Sequence, residues 1–220
     1  MALTAQSLTG PLPGIDMAQK INSLSEAQAL KQASGAAFIA RYISQTLPEN
    51  SGDLDATEVT NLVNAGFKLI AVQHYSGGTP VYTASLGTQY GNAAAKIASG
   101  LGLPSGTRVY VDVESPGAGS DTIAFVQAWV TELKRVAGTL GVSYIGGLYY
   151  GAPGMTAAQV QQLQSGGYTS VAWSGCGAPK GNGEQIDQGP CAQTLTGGGY
   201  TWSIDRDSLL SGFTVSGFVG

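Results

Sequence analysis

Charge is scarce in this chain of 220 residues, and positive charge is scarcest. Only 11% of the residues are charged, with 10 Lys and Arg against 14 Asp and Glu, for a net charge of −4. Nucleic acids and anionic membrane surfaces attract clustered Lys and Arg, so this composition argues against both as partners. No apolar run approaches the ~20 residues that a membrane span needs. The sequence predicts a protein without a nucleic-acid partner and without a membrane span.

Short ligand-binding motifs are missing as well. The chain has a single His, His74, and no CxxC pair, which disfavours a zinc site. No GxGxxG follows an early strand, which disfavours a dinucleotide site. We therefore expect no cofactor and no bound metal.

The first ten residues are polar and lack a basic n-region, which predicts that this chain carries no signal peptide. A mature secreted chain behind a Met would look the same. Few Lys together with much Gly, Ser and Thr are typical of exported proteins, so we expect a secreted or cell-wall-associated protein.

The two cysteines, Cys176 and Cys191, lie in Gly-rich segments. They are either two unrelated small residues or a disulfide between neighbouring loops. A disulfide closing a loop of this size would contribute roughly 3 kcal/mol. It would also imply an oxidising compartment.

Short β-like segments alternate with helix-like segments along the chain. Five helices are predicted, at 21–34, 54–66, 87–102, 121–141 and 155–167. Eight strands are predicted, at 14–17, 36–44, 68–75, 107–114, 143–151, 170–176, 184–189 and 200–207, and loops join the last three. The alternation indicates a parallel sheet, and eight strands favour closure. The predicted fold is an incomplete TIM-like (β/α) barrel of class α/β, formed by one domain over residues 1–220. An open doubly wound sheet is the alternative.

The fourth predicted strand, "RVYVDVE", ends in two acids. Residues two apart share one face of a strand. Val109, Val111 and Val113 suit the side that faces the helices. Asp112 and Glu114 then face the lumen at the carboxyl-terminal rim, where barrel active sites lie.

The same rim position falls to polar or aromatic residues on other strands. They are Asp16, Tyr42, Gln73 or Tyr75, Tyr149, Trp173, Gln188 and Asp205. The first and last strands of a closed barrel are neighbours, so Asp16 and Asp205 should lie side by side. His74 is out of phase with this set and is interpreted as structural.

Acids that converge in a low-dielectric pocket raise one another's pKa. One carboxyl can then stay protonated while another is ionised, which is what glycoside hydrolysis requires. Rim aromatics would stack on sugar rings. The bland alternative is that the acids are helix caps or ion-pair partners in loops.

Several motifs carry a family resemblance: "GIDMAQ", "VDVE", "GLYYG", "VAWSG" and "SIDRD" on the first, fourth, fifth, sixth and eighth strands. They resemble the Chalaropsis-type lysozymes, which are muramidases. Over about residues 12–210 the chain more closely resembles a glycoside-hydrolase-like barrel domain of exported actinobacterial proteins, fungi and phage lysins. "ARYIS" followed by "LDATEVTNLVNAGFKLIAV" is typical of that second group.

The resemblance implies a barrel with eight strands and five helices, and it implies site residues. Glu114 matches the general acid, and Asp112, Asp16 and Asp205 match the accompanying acids. Asp207 stands where the muramidases often have Asn, and Gln188 lacks the aromatic neighbour found there. The resemblance also favours a functional Arg41–Tyr42 pair, whereas strand phase puts Arg41 on the helix side.

Three functions remain open. The first is a glycosidase acting on peptidoglycan or another N-acetylhexosamine polymer, and the second is a glycan-binding barrel without catalysis. The third is a metal-dependent phosphodiesterase, because four carboxylates can also hold a divalent cation. In the first two cases the partner is a polysaccharide or cell-wall glycan, and we expect a monomer.

Overall fold

The computed structural model describes residues 2–74, 79–151, 154–169, 172–178, 180 and 183–220. The five predicted helices are confirmed: α1 (Leu24–Ser34), α2 (Ala56–Asn64), α3 (Ala84–Gly100), α4 (Thr122–Thr139) and α5 (Ala157–Ser165). Acidic side chains cap two of these helices, because Asp55 accepts from the Glu58 amide and Asp121 from the Ala124 amide.

The described residues form eleven strands. They are β1 (Thr4–Thr9), β2 (Leu12–Met17), β3 (Phe38–Ile43), β4 (Lys68–Gln73), β5 (Arg108–Val113), β6 (Ile145–Tyr150), β7 (Ala172–Ser174), β8 (Ile186–Gln188), β9 (Gln193–Gly197), β10 (Tyr200–Leu209) and β11 (Thr214–Val219). Eight of them close into a barrel in the order β2-β3-β4-β5-β6-β7-β8-β10, and β10 pairs back with β2. The predicted TIM-like barrel is therefore confirmed.

The direction of the last barrel strand differs from the expected parallel sheet. Strands β2 to β8 are parallel to their neighbours, whereas β10 is antiparallel to both β2 and β8. The hairpin formed by β9 and β10 reverses the chain. A parallel crossover needs a dozen or more residues, and the short segment between β8 and β10 is folded as this hairpin instead.

Three strands lie outside the sequence-based prediction, namely β1, β9 and β11. β1 and β11 pair along six residues each. β11 reaches the barrel through Phe218 opposite Leu69 of β4, below the point where β4 pairs with β5. Leu8 of β1 and Val215 of β11 pack against the buried side chains inside the barrel. The two terminal strands therefore close the end of the barrel away from the rim.

The core has two layers, separated by the barrel wall. The outer layer lies between the strands and the helices and includes Trp129 of α4. The inner layer fills the lumen and includes Phe38, Tyr110 and Trp173. Gly14 permits one close approach there, since a Cβ at this position would lie 2.1 Å from the Phe38 ring. The lumen is thus a packed core rather than an open channel.

Candidate active site

Glu114 directly follows β5 and lies at the rim, the end of the barrel where the parallel strands finish. The Tyr82 hydroxyl fixes its backbone, donating to the Glu114 carbonyl at 2.9 Å and accepting from its amide at 3.1 Å. Gly151 leaves room for the side chain, because a Cβ there would lie 2.3 Å from Glu114 Oε1. Ser115 has φ 46°, a left-handed conformation that costs a non-glycine residue free energy. The carboxyl is therefore held in place from both its backbone and its surroundings.

Asp16 and Asp205 lie directly opposite each other in the β2–β10 register. β10 runs against the other strands, so its first half rather than its end lies at the rim. Asp16 is 4% exposed, and the Tyr42 hydroxyl donates to its Oδ1 at 3.2 Å. Asp205 is half-buried and accepts a short hydrogen bond from the Ala192 amide at Oδ1. The structure brings together the two acids that the sequence predicts to be adjacent.

The Gln188 side chain joins the two acids to the Glu114 side of the rim. Its Nε2 donates to Asp16 Oδ2 at 2.5 Å and lies 3.4 Å from Asp205 Oδ2. Its Oε1 accepts from the Cys176 amide at 2.7 Å and lies 3.1 Å from the Tyr149 hydroxyl. That hydroxyl also lies 3.4 Å from Glu114 Oε1. These contacts fix the orientation of the amide and make Gln188 a positioning residue.

Two further acids lie deeper in the lumen. Asp112 is buried two residues before Glu114 on the same face of β5. Asp207 is 2% exposed and lies opposite both Gly14 and Gln188 in the strand register, below the Asp16–Asp205 pair. It does not line the pocket beside that pair.

Burial raises the pKa of several of these carboxyls. Burial raises the pKa of Glu114, Asp205 adds to the rise, and the Tyr149 hydrogen bond opposes it. Burial also raises the pKa of Asp16 to about 6. The hydrogen bond from Gln188 opposes this rise, and the negative charge of Asp205 adds to it. The pKa of Asp207 lies well above its ordinary range, through burial and the neighbouring Asp16. Burial thus shifts the pKa of all three carboxyls in the direction that favours their protonated forms.

A pocket of about 360 Å³ opens beside Asp16 and Asp205. Its lining comprises Asp16, Met17, Ala18, Gln19, Tyr42, Ser203, Ile204 and Asp205. The lining comes from the end of β2, the segment after it, β3 and the first half of β10. It offers carboxylate, amide and hydroxyl groups together, which suits a neutral polar ligand such as a sugar.

Residues 28–209 match the family model of the Rv2525c-like, glycoside hydrolase-like domain. The chain belongs to this family. The match covers the barrel from α1 to the end of β10 and includes Glu114, Asp205 and Gln188. No curated protein matches the sequence.

Solved structures share the fold of this glycoside hydrolase-like domain. The Tat-secreted protein Rv2525c of Mycobacterium tuberculosis superposes with a TM-score of 0.64 at 19% identity, covering 92% of this chain and 96% of that one. An uncharacterised B. stearothermophilus protein gives a TM-score of 0.66 at 18% identity, covering 89% and 94%. The lysozyme of Streptomyces coelicolor gives 0.58 at 16% identity, covering 93% and 94%. At these identities the likeness establishes the shared fold.

Arg41 is a structural residue of the glycoside hydrolase-like domain, and its assignment to substrate binding is wrong. The side chain is 0% exposed and forms an ion pair with Glu58 of α2 at 2.6 Å. It also donates to the Met17 carbonyl at 2.5 Å. Strand phase correctly predicts its place on the helix side of β3. The family's Arg–Tyr pair therefore divides here, with Tyr42 alone at the rim.

Gln73 also points away from the lumen, so its rim assignment is wrong. Its Oε1 accepts from Trp129 Nε1 at 2.6 Å, and its Nε2 donates to the Tyr90 carbonyl at 3.0 Å. The next residue, His74, lies at the rim instead, where its ring centroid is 5.1 Å from that of Tyr42. Asp53 holds His74 Nε2 at 3.0 Å. Sequence reasoning placed β4 one residue out of phase, and Tyr75 lies outside the described residues.

Trp173 fills the lumen and is not a sugar-stacking platform at the rim. It is 1% exposed, and it packs edge-on against Tyr149 at 5.1 Å and Tyr110 at 5.7 Å between ring centroids. Tyr149 is also buried, and only its hydroxyl reaches the acid cluster. Sequence reasoning missed Tyr82, and no motif in its segment would have shown that it supports Glu114.

The structure joins Cys176 and Cys191 in a disulfide, with their Cα atoms 6.3 Å apart. Among the described residues, the candidate metal-ligand group of three is formed by these two cysteines with Asp205, within 4.8 Å. Bonded sulfur atoms offer no thiolate ligands, so this donor set does not suit a metal. In the part of the chain that the structure describes, no helix has the length and hydropathy to cross a membrane.

Proposed function

We propose that this domain is a glycoside hydrolase that cleaves peptidoglycan or a related N-acetylhexosamine polymer. One observation carries the proposal: Glu114, a half-buried carboxyl with a raised pKa, is linked through Tyr149 and Gln188 to Asp16 and Asp205. Glycosidic bond cleavage needs a protonated carboxyl for the leaving oxygen and a second carboxylate for the oxocarbenium-like centre. A pair of acids with unequal environments meets both needs.

The geometry suggests a role for each residue. Glu114 is half-buried at the rim and donates its proton to the leaving glycosidic oxygen. Asp16 and Asp205 lie beside the pocket and stabilise positive charge at the sugar carbon or orient the attacking water. Gln188 holds these two carboxylates in place through its amide nitrogen. Asp112 lies one step deeper on the same face and orients the groups above it.

The substrate class rests on pocket chemistry and on the similar proteins. The pocket offers hydroxyl and amide groups from Tyr42, Ser203 and Gln19. Such groups bind an uncharged, hydroxyl-rich chain without a counter-charge. The family is glycoside hydrolase-like, one protein with the same fold is a lysozyme, and another is Tat-secreted. Together these support a wall glycan as substrate and a secreted or wall-associated location.

The test is Glu114→Gln, which keeps the shape of the side chain and removes its acidic proton. Release of reducing sugars from purified peptidoglycan should fall by about 10²–10⁴-fold. Glu132→Gln is the matched control, since it makes the same change on α4, where Glu132 pairs with Arg135. The control should hydrolyse like the wild type. Unchanged hydrolysis by Glu114→Gln would refute the assignment of the proton donor.

A second candidate, a glycan-binding barrel without catalysis, is favoured by one observation. The pocket beside Asp16 and Asp205 does not include Glu114 in its lining. This function predicts that wild type and Glu114→Gln bind insoluble peptidoglycan or chitin oligomers equally, with no product. Any hydrolysis product that disappears in Glu114→Gln eliminates it.

A further inference from the structure

The disulfide lies between two loops that both touch the acid cluster. Cys176 follows β7, and Cys191 follows β8 by three residues. The amide of Cys176 itself donates to Gln188 Oε1 at 2.7 Å. The amide of Ala192, the residue after Cys191, donates to Asp205 Oδ1. One covalent bond thus ties together the two backbone N–H groups that hold Gln188 and Asp205.

The backbone around the second amide needs external support. Ala192 has φ 52°, and among the described residues only Ser115 is another non-glycine with positive φ. A side-chain-bearing residue keeps this conformation only where its surroundings enforce it. On one side, the pairing of Gly189 and Pro190 with Arg206 anchors the chain at 2.7 and 3.0 Å. On the other side, Gln193 begins β9 and pairs with Ile204, and the disulfide at Cys191 adds a covalent constraint directly before Ala192.

Gln188 carries the effect of the first amide to Asp16. An amide side chain can rotate to exchange its oxygen and nitrogen, which would turn its acceptor towards the carboxylates. The Cys176 N–H opposes this exchange, because it needs an acceptor at the Oε1 position. Displacement of Cys176 would therefore loosen the donor that holds both Asp16 and Asp205.

We propose that the Cys176–Cys191 disulfide is a positioning element of the catalytic acids, acting through the amides of residues 176 and 192. The inference rests on the proposed function for its catalytic consequence and on the contacts alone for its structural one. Breaking the bond frees both loops, lets the amide of residue 192 leave Asp205, and leaves the barrel wall intact.

The test compares wild type with Cys176→Ser/Cys191→Ser by amide hydrogen exchange and by kinetics on peptidoglycan. Exchange at residues 176 and 192 should rise by at least about tenfold, while amides of β5 stay protected. The kcat should fall by about 10- to 100-fold with KM little changed, since misplaced groups slow the chemical step. Lys180→Ala is the matched control, because it removes the exposed Lys180–Asp187 ion pair from the same loop. It should leave both amides protected.

If the double variant does not fold, the same measurements are made on folded wild type after treatment with dithiothreitol. Reduction breaks the S–S bond, moves two electrons and two protons to the sulfurs, and leaves dithiothreitol as its cyclic disulfide. The proposal is overturned if exchange at residues 176 and 192 rises no more than in Lys180→Ala. It is also overturned if the reduced protein has an unchanged kcat. A wild type without any hydrolysis refutes the proposed function instead, and the exchange comparison still decides the positioning.

Discussion

The pH dependence of stability should expose the buried acid at the end of β2. Burial raises the pKa of Asp16 from its ordinary 3.8 to about 6. The Gln188 hydrogen bond acts to lower this pKa, and the negative charge of Asp205 acts to raise it. The folded chain therefore binds this proton more tightly than the unfolded chain. Its contribution to stability is complete below pH 3.8 and is lost as the pH rises through 6. A rise of this size corresponds to about 3 kcal/mol, of which about 2 kcal/mol falls between pH 4 and pH 7.

The variant Asp16→Asn isolates this contribution. Its amide disturbs the contacts with Tyr42 and Gln188, neither of which titrates in this pH range. The wild type loses this stability as the pH rises and the variant does not. The free energy of unfolding of the variant minus that of the wild type should therefore increase by about 2 kcal/mol from pH 4 to pH 7. Guanidinium unfolding followed by circular dichroism at pH 4, 5, 6 and 7 measures the difference.

Asp55→Asn is a control of opposite sign that keeps the helix cap. Burial acts to raise the pKa of Asp55, but the hydrogen bonds from Lys20 and the Glu58 amide outweigh it, so the pKa lies below its ordinary value. The wild type gains from this carboxylate as the pH rises through the acid range, and the variant does not. A pH-independent difference for Asp16→Asn, or a slope of the same sign as for Asp55→Asn, would refute the account of Asp16.

Two further predictions concern a buried ion pair and the proton donor. Glu58→Gln leaves the Arg41 guanidinium buried without its counter-charge. This should cost about 3–5 kcal/mol of stability and lower Tm by roughly 6–20 °C. A loss below about 1 kcal/mol in thermal denaturation would contradict this account. Tyr149→Phe removes the hydrogen bond that opposes the raised pKa of Glu114, so the alkaline limb of the pH–rate profile should move to higher pH. An unmoved limb would show that Tyr149 does not tune the donor.

The acids were predictable because strand alternation fixes which side chains share a face. The valines of β5 identify its helix-facing side, which leaves Asp112 and Glu114 towards the lumen. Asp16 and Asp205 were predictable from closure of the barrel. Asp16 and Asp205 are adjacent even though β10 runs in the unexpected direction. Reversing a strand changes its register but leaves the alternation of its side chains between the two faces unchanged.

The errors occur where alternation has no reference point. β4 is apolar on both faces, so nothing in its sequence distinguishes Gln73 from His74 as the rim residue. Trp173 lies on the predicted face of β7, but its depth in the lumen depends on strand stagger, which the sequence does not reveal. The terminal strands β1 and β11 contain few core residues and pair with each other, so neither shows a buried pattern alone.

The distribution of counter-charges separates the structural acids from the rim acids. The described residues contain five ion pairs, and their acidic members are Asp53, Asp55, Glu58, Glu132 and Asp187. Asp16, Glu114, Asp205 and Asp207 take part in none of them, and their hydrogen-bond partners are tyrosine, glutamine, tryptophan or backbone groups or one another. A nearby cation would lower their pKa values and stabilise the fold. In this neutral environment burial raises the pKa of Glu114, which is the direction that the proposed proton donor requires.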